Sequence, residues 1–360
     1  MPKGRNTRYC LSADWGVANY PPPIVKQINK KSVVKLLHSI SPDNGGSCIK
    51  LDNYDFDKPT YDLEIIIPVY NAERYIEECI DSVLRQQTRI NFHVIVVNDG
   101  STDGSQQVLR QYNGNEHITI INQANRGHSG ARNVGLCHAS GRYLMFVDAD
   151  DRLPQGAITA LMDKAVDGNY DIVMGGHTRF NDSGTLEKKM PQGNSLSGFF
   201  WGKIYKADIW QGVKLPEGYW FEDTLSAFII SDKAKKVATI QTLVYEWRRN
   251  TQSISFTSKG QPKSLDTVYV TLQLLEDRKR LGLPMDGEFC ETILHQLKVN
   301  AMRVWSLGDR RADYANFIIS KEIYDRYCEG KISTISKHKE IANALKGDNY
   351  KYFVLAGLML

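Results

Sequence analysis

"LEIIIPVYNAERYIEECIDSVLRQQ", residues 63–87, is the stretch from which the fold can be read. Leu63–Tyr70 is a short apolar run, the kind of strand that is buried on both faces of a parallel sheet. The chain then switches to helical spacing, which puts Ile76, Ile80, Val83 and Leu84 on one face. The same alternation continues downstream. "FHVIVVNDG" (92–100), "ITIINQ" (118–123), "YLMFVDADD" (143–151) and "DIVMGGHTRF" (171–180) read as strands. "STDGSQQVLRQYN" (101–113), "SGARNVGLCHAS" (129–140) and "QGAITALMDKAVDG" (155–168) read as the helices between them. Such a series predicts an α/β, Rossmann-like, mostly parallel sheet with helices on both faces. In such sheets ligands bind beyond the C-terminal strand ends. Here those ends read "PVYN", "VNDGSTD" and "DADD", all polar and two of them acidic.

The organisation changes on either side of this region. Residues 1–60 read as a basic N-terminal extension, interrupted by "PPP" at 21–23 and by "SPDNGGS" at 41–47, with a helix over "IVKQINKKSVVKLLHSI" (24–40). The α/β domain is expected over 61–255, its last part a mixture of Gly-rich loops, aromatics and short strands. From 256 to 360 the pattern is helical, and the apolar "YFVLAGLML" (352–360) reads as a packed terminal helix or a point where a longer chain was cut.

Composition narrows the class. With 360 residues, 42% of them hydrophobic, and a net charge of +4, the chain has ample material for a large core. The six cysteines show no C-x-x-C spacing, so neither a zinc site nor a redox dithiol is indicated, and Cys79 and Cys137 are expected in the core. No apolar segment is long enough to span a membrane, and no secretory h-region follows "MPKGRNTRYC". These features point to a cytoplasmic protein. Residues 1–40 hold Lys3, Arg5, Arg8, Lys26, Lys30, Lys31 and Lys35 against Asp14 alone, a local charge of +6. That arm is either solvated or a peripheral contact with anionic lipid or a phosphate-bearing ligand at the inner membrane face. Nucleic acid is disfavoured, because no binding motif accompanies the charge.

Three motifs carry chemistry. At the end of "YLMFVDADD", continued as an extended strand, Asp148 and Asp150 project to one side and Asp151 to the other. The plain reading is a solvated acidic turn. Two converging carboxylates repel unless one takes a proton or a cation joins them. Oxygen-only ligands suit Mn²⁺ or Mg²⁺, which bind one or two carboxylates together with substrate phosphates, so the pair implies a diphosphate ligand as well as a metal. In "VVNDGSTDGS" (96–105), Ser101–Asp103 read as a helix cap, leaving Asp99 to accept a hydrogen bond, for which a uracil ring offers a donor. "NQANRGHSGARNVGL" (122–136) is a Gly-rich loop entering a helix without a P-loop or dinucleotide pattern. Its Arg132 is placed to neutralise phosphate or to orient the acidic tip, while His128 reads as an exposed loop residue.

Taken in order, "PVYN", "VNDGSTDGS", "NRGHSGARNVGL" and "FVDADD" closely resemble the family 2 glycosyltransferases of GT-A fold, over about residues 62–255. The resemblance implies a nucleotide-diphosphate sugar donor, UDP favoured, a divalent metal and inversion at the anomeric carbon. By matching position it implies that Pro68, Tyr70 and Glu73 line the nucleoside pocket and that Asp99 reads the base. Arg132 falls near the diphosphate, Asp148 near the ribose and metal, and Asp150 on the metal. "GYWFEDTLSAF" (218–228) resembles the family's "ED" motif, so Asp223 is the expected base and Glu222 positions the acceptor. The same acids would also suit a helix N-terminus.

Two further stretches resemble bacterial polysaccharide-building members. "FFWGKIYKADIW" (199–210) implies Trp201 and Lys203 near the acceptor or donor sugar, with core packing an equal reading of Trp210. "YEWRRNTQSIS" (245–255) implies Arg248 and Ser253 near the diphosphate. The late histidine metal ligand of some members has no counterpart, and water can take its place. The expected acceptor is a glycan, lipid-linked or protein-linked, held by the basic arm and the C-terminal helices, and an oligomer is compatible with the sequence. A sugar nucleotidyltransferase would need a basic Gly-rich loop after the first strand, which "PVYNAER" does not supply. The intact "ED" stretch argues against a non-catalytic binding module.

Overall fold

In the computed structural model the described residues are 30–359, apart from 53, 194, 195, 197 and 332–337. The chain forms two compact units, one of residues 46–252 and one joining the described part of 1–45 to 253–360. The boundaries therefore differ from the three-part expectation. Residues 46–60 go with the α/β unit, and the helix before them goes with the C-terminal helices. Lys3, Arg5, Arg8 and Lys26 of the basic arm lie outside the described residues.

The α/β unit is an eight-stranded sheet ordered β3-β2-β1-β4-β7-β5-β6, with β8 paired to β5. β1 (Tyr61–Val69), β2 (Phe92–Asp99), β3 (Ile118–Gln123) and β4 (Gly141–Phe146) are mutually parallel. β5 (Ile172–Asn181) runs antiparallel to β6 (Gly184–Lys189) and β7 (Lys203–Lys206), and β7 antiparallel to β4. β8 (Val237–Arg248) pairs with β5 in parallel. The sheet is thus mixed but mostly parallel, as expected.

Helices cover both faces, and β1 shows how. Leu63, Ile65, Ile67 and Val69 join one core cluster with Ile76, Cys79, Ile80 and Val83 of the helix at Ile76–Leu84 and with Ile158, Leu161 and Met162 of the helix at Ala157–Gly168. Ile66 points the other way, under the helix at Gly127–His138. That helix comes close because position 135 has no side chain: a Cβ on Gly135 would lie 2.4 Å from Ile66 Cγ2. Cys79 is buried as expected, but Cys137 is exposed, because it faces outward from that helix. Downstream of Asp99 the helix starts at Ser105, with Gly104 at its N-cap, rather than at Ser101.

The second unit is helical. Lys30–Ile40 packs with Arg310–Tyr327, and Gly287–Trp305 packs with Arg310–Tyr327 and with the terminal helix Tyr350–Leu358. Asp266–Arg280 and Lys339–Lys346 complete it. No helix among the described residues is long and apolar enough to cross a membrane.

The Gly135 contact makes a test. Gly135→Ala should overpack the helix–sheet contact and cost about 1–3 kcal/mol in urea unfolding. Gly46→Ala, where a Cβ meets nothing within 4 Å, should be near neutral. Equal stability of the two variants would contradict the packing described.

Candidate active site

The C-terminal ends of β1, β2 and β4 bring the polar motifs together. The loops after β1 and β2 are tied to each other. Asn71 Oδ1 accepts from Thr102 N at 2.8 Å, Ser101 Oγ accepts from Asn71 N at 3.1 Å, and Ser105 Oγ accepts from Ala72 N at 2.8 Å. Glu73 Oε2 accepts from Gly104 N at 2.6 Å, while Asp103 Oδ2 accepts from Glu73 N at 3.1 Å. Ser101 and Thr102 therefore bind the neighbouring loop instead of capping their own helix. Gly100 makes the sharp exit from β2: its φ is +68°, and a Cβ would lie 2.9 Å from Asn125 N. Asp99, buried just before it, is not free of protein contacts. Its Oδ1 accepts from Gln123 Nε2 at 2.6 Å and from Arg126 N at 2.8 Å. Tyr70 is half-exposed beside this edge and Pro68 lies in β1.

The acidic tip is a turn. β4 ends at Phe146, and Asp151 N donates to Asp148 O at 3.0 Å. The alternation expected from an extended strand therefore does not apply; hydrogen bonding separates the three carboxylates instead. Asp151 is buried, with Oδ2 accepting from Tyr245 Oη at 2.7 Å and Oδ1 from Arg248 N at 2.7 Å. It does not meet Arg132. Burial, with the charges of Asp150 and Asp148 added, pushes its carboxyl well above the usual range. Asp148 is partly exposed; its N–H donates to Tyr245 Oη at 3.1 Å, and its Oδ1 accepts from Arg132 Nη2 at 2.7 Å. Asp150 Oδ2 accepts from Asn250 Nδ2 at 2.9 Å.

Burial raises the Asp150 carboxyl, and the charge of Asp148 adds to the rise against the Asn250 hydrogen bond. The tip therefore concentrates negative charge that a hard cation would relieve. Among the described residues no group of three or more His, Cys, Asp or Glu forms a ready-made metal cage. Two carboxylates without such a cage fit Mn²⁺ or Mg²⁺ completed by phosphate oxygens and water.

Arg132 joins this tip to the second acidic motif. Its Nη1 donates to Glu222 Oε1 at 2.6 Å while Nη2 holds Asp148. Burial works against the guanidinium charge, but Asp148 and Glu222 outweigh it and raise its pKa. Glu222 is buried and committed to this pair, whereas Asp223 beside it is half-buried. A helical stretch follows at once, with Ser226–Ile230 in π geometry. Arg126 grips Glu217 through Nη2 at 2.8 and 3.0 Å, and Asn133 donates to Leu215 O at 2.9 Å and accepts from Leu215 N at 2.8 Å. These contacts hold the approach to Glu222 against the helix that carries Arg132.

Lys203 opens β7 fully buried. Burial lowers its pKa to about 7, with the charge of Asp223 pulling the other way. Arg248 is also buried and engaged by the protein. Its Nε donates to Asp150 O at 2.8 Å, its other nitrogens pair with Glu78 and Asp182, and it lies over Tyr75 and Phe180 at 4.9 and 4.5 Å. Ser253 falls in the second unit, at the N-cap of Ile254–Thr257. His128 is exposed as expected. Sequence reasoning did not single out Tyr245, Asn250, Glu78 or Glu217. "YEWRRNTQSIS" contains Tyr245 and Asn250, but its resemblance implies only Arg248 and Ser253.

A mostly parallel α/β sheet with an acidic turn after a central strand has the GT-A architecture, and here a second acidic pair is joined to that turn through one guanidinium. Residues 64–219 match glycosyl transferase family 2. The chain is 30% identical over 251 residues to the glycosyltransferase GlyA of Streptococcus pneumoniae, covering 62% of this chain and 36% of that protein. It is 32% identical over 219 residues to the uncharacterized glycosyltransferase EpsJ of Bacillus subtilis, covering 54% of this chain and 62% of that one. The chain thus spans less than two thirds of the length of either relative. The fold is similar to that of S. aureus TarS 1-349, with a TM-score of 0.53 at 17% identity, covering 82% of this chain and 90% of that one.

The buried lysine gives a pH signature. Its folded pKa, about 7, lies below the ordinary 10.5, so between those values the unfolded chain binds a proton that the folded chain does not. Stability should therefore gain up to about 1.4 kcal/mol per pH unit from this group as pH rises through that window. Lys203→Met should remove that gain, its melting temperature exceeding the parent's by more at pH 6.5 than at pH 9. A difference between the two proteins that does not change with pH would contradict the burial of this amine.

Proposed function

We propose that this chain transfers a sugar from a nucleotide-diphosphate sugar, UDP favoured, to an acceptor hydroxyl with inversion at the anomeric carbon. The observation that carries the reading is the Arg132 bridge from Asp148 to Glu222, which brings the acidic tip and the "ED" pair into one site. The match of residues 64–219 to glycosyl transferase family 2 supports sugar transfer as the reaction class.

In this reading the two acids of the pair divide their work by burial. Glu222 is held by Arg132 and fixes the backbone on which Asp223 sits. Asp223, half-buried, accepts the proton of the acceptor hydroxyl. The acceptor oxygen bonds to the anomeric carbon from the face opposite the diphosphate. The bond to the diphosphate oxygen breaks, and its electron pair leaves with the diphosphate. The transition state has oxocarbenium character, as in glycoside cleavage.

Asp148 and Asp150 are the residues that would hold a divalent cation, Mn²⁺ or Mg²⁺, which when bound supplies Lewis-acid neutralisation of the departing diphosphate. Arg248 holds the Asp150 carbonyl and so supports the diphosphate end of the site. Pro68, Tyr70 and Glu73 line the nucleoside pocket, and Asp99, fixed through Oδ1 by Gln123 and Arg126, is the base-reading residue. The acceptor we propose is a glycan, lipid-linked or protein-linked, in cell-surface polysaccharide or glycoconjugate synthesis on the cytoplasmic side of the membrane. The +6 arm supports contact with anionic lipid there.

The test is nucleotide release from a panel of UDP- and GDP-sugars with added glycan acceptors. Asp223→Asn should lower kcat by about 10²–10⁴-fold while the donor still binds. Asp150→Ala should weaken donor binding and activity together. Full transfer by both purified variants would overturn the assignments.

A further inference from the structure

The segment between the β6 hairpin and β7 holds a feature the donor chemistry does not use. Phe199 stacks on Trp201 with ring centroids 4.7 Å apart and planes within 9°. Trp201 stacks in turn on Tyr245, again at 4.7 Å and 12°, and lies near-parallel to Trp247 at 6.2 Å. His177 closes its edge at 5.0 Å and 82°. Trp201 and Tyr245 are buried, while Phe199 is 45% exposed. The ladder thus runs inward from an open ring to Tyr245, whose hydroxyl binds both the Asp148 N–H and the Asp151 carboxylate. Two residues beyond Trp201, Lys203 lies within the electrostatic reach of Asp223.

An exposed aromatic ring leaves apolar surface in water, and a ring fixed by coplanar stacking has already lost the freedom that binding would otherwise cost. A flat, rigid ring with one open face suits a flat partner that is apolar on one side and polar at its rim. A pyranose presents such a face through its axial C–H groups, with hydroxyls around the edge. The sheet order puts β1 and β2 on one side of β4 and β7, β5 and β8 on the other, so the ladder, which ends on the carboxylate tip after β4, lies on the side away from the first two strands, and a ring seated on it belongs to the acceptor. The loops after β1 and β2 remain for the nucleoside.

We propose that Phe199, backed by Trp201 and Tyr245, is a stacking platform for a pyranose unit of the acceptor. The assignment to the acceptor rests on the transferase reading; the platform itself rests on the ladder.

The experiment is saturation-transfer difference NMR on the full chain with UDP and Mn²⁺ present. The probes are methyl β-D-glucopyranoside, methyl β-D-galactopyranoside and methyl N-acetyl-β-D-glucosaminide. At least one should receive saturation at its ring C–H protons. Phe199→Ala should weaken that binding roughly tenfold, and Phe199→Tyr should restore it. Because the ring is half-exposed, Phe199→Ala should melt with the parent chain, which separates loss of the platform from misfolding. Parent-level binding by Phe199→Ala, or no binding of any probe to the parent, would overturn the platform. UDP release from UDP-sugars by the parent without acceptor tests the transferase reading separately, so failure of the one is distinguishable from failure of the other.

Discussion

The site depends on one buried cation. Arg132 holds Asp148 with one nitrogen and Glu222 with another, and these acids are 74 residues apart in sequence. Without it Glu222 could not stay buried and charged so near Asp148, because like charges in a poorly solvated site drive each other toward protonation. Removing one member of such a set typically costs 3–5 kcal/mol, because an uncompensated charge is left behind. The guanidinium thus couples the end of β4, the helix after β3 and the approach to Asp223 into one piece. Its planar fork suits the task, because two carboxylates can be held at separate nitrogens.

The three carboxylates of the tip show how similar groups acquire different tasks. Asp151 is buried with both oxygens bonded to β8, through Tyr245 and the Arg248 amide, and so fixes the turn. Asp148 is steered by Arg132, and Asp150 by Asn250. Arg152 continues the clamp by pairing with Glu246 and Glu78. β8 is therefore as much a part of the site as β4. Its aromatic residues then serve a second purpose, because Tyr245 is also the base of the ladder that reaches Phe199.

The sequence made the alternation of strands and helices legible because β1, β2 and β4 are largely apolar runs between turn residues, and their polar ends marked the candidate site. The positions of Asp99, Asp148 and Asp150 at one sheet end followed from that, whereas the Glu222–Asp223 pair is implied only by the resemblance of "GYWFEDTLSAF" to the "ED" motif. Which carboxylate faces what did not, because the argument assumed an extended strand where the chain turns after Phe146. The antiparallel insertion of β7 between β4 and β5 was equally hidden, since a four-residue strand has too short a pattern to reveal its neighbours. Ser101 and Thr102 bind Asn71 rather than capping their own helix, a choice made by a loop 30 residues away. Cys137 reads like a core residue in one dimension and faces outward in three.

The central claim is that the tip carboxylates and the loops after β1 and β2 form one metal-dependent nucleotide-diphosphate site. Isothermal titration of UDP into the full chain, once with Mn²⁺ and once with EDTA, tests it most directly. The account predicts binding at least about tenfold tighter with the metal, a difference of about 1.4 kcal/mol or more. Equal affinity under the two conditions, or no UDP binding under either, would contradict it.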